Sequence, residues 1–144
     1  MPNDQTYKNH VRWYPLFHFV VMPLLLLNLA ARIFWMYREP QYRHAWEIVL
    51  ALTLLLLALA ARLMVLTVQN RVIRLEERLR YQQLLAADVA AKACELPTSR
   101  IIALRFASDA ELPDLVAKTL NGEFDSNKAI KTSIKQWRGD YLRA

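Results

Sequence analysis

The chain has 144 residues, 55% of them apolar, with two glycines, one cysteine and a formal charge of +6. Two glycines cannot build a phosphate-cradling loop, and one cysteine excludes an internal disulfide or a cysteine-based metal cluster. The positive charge is spread along the chain without a dense basic block, which points to membrane topology rather than to nucleic acid.

A polar segment, residues 1–12, carries Lys8, His10 and Arg12. Two apolar stretches follow at 13–31 and 48–68, close to the ~20 residues that cross the hydrocarbon of a bilayer. They share a nine-residue motif, LLLLNLAAR at Leu24–Arg32 and LLLLALAAR at Leu54–Arg62. The first stretch exceeds the length of a signal-peptide core and ends without an A-x-A cleavage pattern, so it reads as a retained span. Residues 13–68 are therefore expected to form a transmembrane hairpin. Pro15 is harmless near a helix start, whereas Pro23 should kink the first helix because it cannot donate to the Phe19 carbonyl. Lys8 and Arg12 before the hairpin, with Arg71, Arg74, Arg78 and Arg80 after it, outnumber Arg32, Arg38 and Arg43 between the spans. Both termini are then expected in the cytoplasm, and the loop from about Arg32 to Trp46 outside. Trp13 and Tyr14 would mark the inner interface, and Trp35, Tyr37, Tyr42 and Trp46 the outer one.

The candidate intramembrane polar residues are His18, Asn28 and Arg62. Intramembrane ionisable groups are candidates for proton or ion pathways. The plainer reading has His18 bonded at the interface, Asn28 bridging helices and Arg62, like Arg32, snorkelling to headgroup depth. His18 and His44 would lie at opposite faces of the membrane, so they cannot share a haem, and no cofactor is expected. Ala30, Ala31, Ala58, Ala60 and Ala61 would let helices approach closely. The repeated motif has the form of an inverted pair, but two helices alone cannot enclose a transport pathway.

Residues 69–144 are expected to form a cytoplasmic helical domain. Nothing breaks the helix after the second span, and Val68, Val72, Leu75, Leu79, Gln82, Ala86, Val89, Ala93 and Leu96 follow heptad spacing. Val72, Leu75, Leu79 and Val89 are the candidate interface, either joining neighbouring chains or packing on the C-terminal segment. Pro97 should end this helix. Residues 100–107 (RIIALRFA) suit a short helix or a strand, and helical neighbours favour a helix. Ser108–Glu111 has capping-box spacing before Leu112, Leu115, Val116 and Leu120, with Asn121-Gly122 as the stop. A last helix beginning at about 125–127 would align Ile130, Ile134, Trp137 and Tyr141. Lys128, Lys131, Lys135, Trp137 and Arg138 would then offer a basic surface to anionic lipid or a partner, or the apolar stripe would pack into the domain. Cys94, among alanines, reads as a small buried thiol.

Catalytic patterns are missing from the sequence. There is no HExxH pair, and the acidic group Asp109, Glu111 and Asp114 is explained by a helix start. No small-molecule substrate is evident. The segments IIALRFASDAELPDLV (Ile101–Val116), KAIKTSIKQWRGDYLRA (Lys128–Ala144), YKNHVRWYPLFHF (Tyr7–Phe19) and RLEERLRYQ (Arg74–Gln82) resemble a family of small bacterial two-span membrane proteins of unknown function. The resemblance implies a bacterial inner-membrane protein with a helical cytoplasmic domain, and carries no activity. The expected fold is thus an all-α membrane protein with a two-helix hairpin, an extended juxtamembrane helix and a small helical segment. The expected function is non-enzymatic: a scaffold or interaction protein, self-associating or an accessory subunit of a larger membrane assembly. The alternatives are a pore-forming or transport-associated oligomer and a membrane-bound enzyme.

Overall fold

The computed structural model describes residues 5–7, 9 and 13–141, so Lys8, His10 and Arg12 lie outside the described residues. Among the described residues the secondary structure is helical apart from one isolated antiparallel bridge, Ala107 with Trp137. The chain divides into two compact units, Arg12–Leu66 and Thr67–Arg143 with Met1–Val11. One helix contributes to both.

The first unit is an apolar hairpin. It opens with a π-helical segment, Leu16–Val21, and continues as α1, Met22–Arg38. The wide turn meets the demand of Pro23, whose ring crowds the carbonyl four residues back and which lacks an N–H. Just before it, the Met22 N–H reaches five residues back, to the Phe17 carbonyl. Pro40 ends α1, since the residue before a proline is driven out of helical geometry and Glu39 takes φ −138°, ψ 87°. The next helix, α2, begins at Tyr42 and runs 43 residues to Leu84. The connection is therefore residues 39–41, much shorter than the expected Arg32–Trp46 loop, because both helices outlast their apolar stretches.

Two contacts show that α1 and the start of α2 run antiparallel. Arg32 pairs with Glu47 at 3.0 Å, and the Arg62 guanidinium sits 5.9 Å from the centre of the Phe17 ring. Glu47 also accepts from Arg43 and contacts His44. Ala51 is buried on this inner side, whereas Ala30, Ala31, Ala60 and Ala61 are exposed. Both helices are long and apolar enough to cross a membrane, and most of their large apolar side chains face outward.

The second unit begins with the last part of α2 and adds four short helices: α3 (Ala87–Cys94), α4 (Thr98–Leu104), α5 (Leu112–Leu120) and α6 (Asn127–Ser133). Helices of seven to nine residues are not stable alone, so their stability comes from packing. Tyr81 of α2 joins Ala90, Ala93, Ile101, Leu104, Phe106, Leu112, Val116 and Ile130 in one core. Residues 100–107 begin in helix, and Phe106–Ser108 then leave it to pair with the C-terminal segment.

Two expectations fail here. The heptad helix does not reach Pro97, because α2 stops at Leu84 and Ala86 is extended, with ψ 147°. A continuous helix would hold Ala86, Val89 and Ala93 on the side of Leu75 and Leu79, away from Tyr81. The break turns Ala90 and Ala93 into the core and packs Val89 against it. Nor does the last helix carry Trp137 and Tyr141. Helix α6 is capped by Ser126, which accepts from the Ala129 N–H, but ends at Ser133. Beyond it the Arg138 N–H donates to the Phe106 carbonyl at 2.7 Å, and the Ser108 N–H to that of Gln136 at 3.1 Å. Ser108 Oγ accepts from the Glu111 N–H at 3.3 Å, the first half of the expected capping box, while the Glu111 carboxylate accepts from the Lys135 and Gln136 N–H groups instead of closing it.

Helix α5 ends as expected. Gly122 takes φ +78°, the Glu123 N–H donates to Lys118 and the Gly122 N–H to Thr119, the Schellman arrangement. A Cβ at Gly122 would meet nothing within 4 Å, so a side chain there is opposed by the backbone alone. Gly122→Ala should lower thermal stability by about 1–2 kcal/mol, and Gly122→Asn by less, in melts of the detergent-solubilised full chain. Equal loss from both variants would indicate a cost other than the left-handed backbone.

Candidate interaction surface

Beyond position 68, α2 has two unlike faces. One carries Ile73, Glu77, Arg80 and Tyr81, all buried, with Tyr81 in the domain core and Glu77 and Arg80 paired to domain residues. The other carries Val68, Val72, Leu75 and Leu79, which are 60%, 48%, 60% and 54% exposed. Three of the four expected interface residues, Val72, Leu75 and Leu79, thus share an open face, while Val89 is drawn into the domain packing. Gln82 continues the exposed face to the end of α2.

The buried face is held by ion pairs. Glu77, 4% exposed, lies 3.2 Å from Arg80, and Arg138 reaches its other oxygen at 3.5 Å. Arg80 also donates to Asp109 and to the Ala107 carbonyl at 2.8 and 2.7 Å. Arg105 pairs with Asp140 at 3.1 Å and stacks over Phe106. These six charged residues line a cleft of about 620 Å³. Each is engaged by an opposite charge, so the cleft is closed by ion pairs that clamp α2 to the domain. Burial pushes the Glu77 carboxyl above its usual pKa, against the opposing pull of Arg80, and burial likewise raises the Tyr81 phenol. Arg78 closes α3 by donating to the Cys94 carbonyl at 2.9 Å, and Cys94 itself is half-buried.

The other expected site residues are scattered. His18 Nδ1 lies 3.0 Å from the Tyr14 carbonyl and its ring packs edge-on to Trp13, so it is engaged within its own helix turn. Asn28 is exposed, and Arg62 lies over Phe17. No hydrogen bond joins these three among the described residues. The residues of the expected basic surface do not share one helix, because α6 ends at Ser133. Lys128 is exposed on α6, Lys131 lies 5.6 Å over the Phe106 ring, and Trp137 packs on that ring at 4.9 Å. Lys135 and Arg138 lie in the segment beyond α6. They share no helix face with Lys128 because α6 ends first. Asp109 and Asp114 are occupied by Arg80 and Lys118, and Glu111 by backbone N–H groups. Among the described residues no group of three or more His, Cys, Asp or Glu side chains could hold a metal ion.

The sequence reading missed the Glu77–Arg80–Asp109 clamp. Its signal was present: Glu77 and Arg80 are three residues apart on the side of the helix opposite the heptad seam.

The chain belongs to DUF6526, a family of unknown function, which matches it over residues 1–144. No curated protein and no solved structure matches it.

A carboxyl with a raised folded-state pKa holds its proton in the native state at pH values where the unfolded chain has lost it. Its contribution to stability is therefore full below the unfolded pKa and lost as pH rises through the folded pKa. Wild-type protein should gain stability relative to Glu77→Gln as pH falls from neutral toward the ordinary carboxylate range. Parallel melting curves against pH for the two proteins would contradict the raised value.

Proposed function

We propose that this is a two-span protein of the bacterial inner membrane, with both termini cytoplasmic, that works through protein–protein contact rather than catalysis. The apolar segments 13–31 and 48–68 are the spans, and residues 69–84 carry α2 beyond the bilayer. The observation that carries the reading is the exposed face Val68, Val72, Leu75 and Leu79, on a helix whose opposite face is already filled by its own domain. Contiguous exposed apolar side chains mark interaction sites. Tethering to one bilayer raises the effective concentration of such faces, which favours association of even a short seam. Self-association is the primary form of the reading, and service as a subunit of a larger membrane assembly the second.

Exposed aromatic side chains support the membrane placement. Trp13 and Tyr14 flank the start of the first span, and Trp35, Tyr37, Tyr42 and Trp46 the turn of the hairpin, where amphipathic rings suit headgroup depth.

Replacing Leu75 and Leu79 together with Glu places charge in the apolar contact, so the detergent-solubilised protein should fall in size while remaining membrane-inserted. A wild-type protein that is strictly monomeric and captures no partner on mild crosslinking would remove the interaction reading. For topology, a cysteine placed at Gln41 should react with an impermeant label in intact cells, and Cys94 only after the membrane is opened. The reverse labelling would invert the orientation.

A further inference from the structure

The partner of the exposed face can be identified from the charges beside it. With Val72 and Leu79 at heptad position a, and Val68, Leu75 and Gln82 at d, Arg71 and Arg78 fall at g, and Glu76 and Gln83 at e. The buried contacts of α2 fall elsewhere: Ile73 and Arg80 at b, Tyr81 at c and Glu77 at f. In a two-stranded coil, b, c and f point away from the partner helix, and a, d, e and g point toward it. Apart from Arg78 at g, which donates to the Cys94 carbonyl, these contacts fall at positions that such a coil leaves free. Arg71 and Glu76 are both exposed, and neither makes an ion pair among the described residues.

We infer that the occupant is a second copy of this chain, in a parallel two-stranded coil over residues 68–82 with Arg71 of each copy paired to Glu76 of the other. The inference rests on the self-association reading above. A parallel coil pairs g of one chain with e of the next heptad in its partner, five residues on, and Arg71 to Glu76 has that spacing. At the next g position the Arg78 guanidinium is already engaged by the Cys94 carbonyl, so Arg71 carries the pairing between copies. An antiparallel coil would instead set g against g and e against e, bringing arginine toward arginine. The bilayer selects the same direction, since two copies inserted alike send their α2 helices out of one face in parallel.

The test uses full-length protein in native membranes, with Cys94→Ser as background. Leu75→Cys, at the d position, should form a disulfide-linked dimer under mild oxidation, and Asn70→Cys, at f, should not. Arg71→Glu and Glu76→Arg should each weaken dimerisation about three- to tenfold, and the double exchange should restore it to within about twofold. A protein that self-associates yet cross-links no better at Leu75 than at Asn70 overturns the parallel register and leaves self-association standing. So does a double exchange as weak as its single variants. A wild-type chain that is monomeric in the membrane, or that cross-links only to a different protein, overturns both.

Discussion

The C-terminal unit depends on the guanidinium of Arg80. It sits on α2 with almost no exposure and binds a carboxylate on its own helix, a second carboxylate at Asp109 and the backbone carbonyl of Ala107. Burying a charge costs several kcal/mol unless it is paired and its donors are used, and here they are. Through Ala107 the same group fixes the stretch where α4 ends and the chain pairs with Trp137. A unit whose own helices have seven to nine residues needs such a fixture. It also determines which side of α2 is covered and which remains open.

Large parts of this organisation are legible in the residues. Long leucine-rich runs leave little alternative to two apolar helices, whereas the short turn at Pro40 is missed by the expected loop from Arg32 to Trp46. Gly122 marks the end of α5 because only a residue without a Cβ accepts its backbone at no cost. The break after Leu84 is not legible, since Leu85-Ala86-Ala87 contains no glycine or proline and each residue favours helix locally. Tertiary burial of Ala90 and Ala93 outweighs that preference. The end of α6 is ambiguous for a related reason. Ile130, Ile134, Trp137 and Tyr141 fit a helical stripe, yet once Trp137 stacks on Phe106 and the backbone pairs with 106–108, the extended form satisfies more groups. Over so short a run, periodicity cannot separate the two.

The candidate interface was half legible. Val72, Leu75 and Leu79 were marked by spacing, but spacing alone could not say whether they met another chain or their own domain. Within the unit, the charged residues on the other side of the helix turn these three side chains away from the domain. Glu77 and Arg80 would be costly buried groups without each other and Asp109, so the face that carries them is the one the domain covers.

The buried face of α2 carries Glu77 and Arg80 beside Ile73 and Tyr81, while Val72, Leu75 and Leu79 are exposed, a partial reversal of the usual amphipathic helix, in which the apolar stripe is covered and the charges face water. For an isolated soluble domain the reversal would be unfavourable, since exposed valine and leucine gain nothing from water while buried charges lose hydration. It becomes favourable once the apolar face has a partner. On covering, that face would add apolar burial to what Ile73 and Tyr81 already supply on the other side, while the ion-pair clamp holds the domain there. The internal pairing and the open seam are thus two consequences of one choice about which face of α2 carries charge.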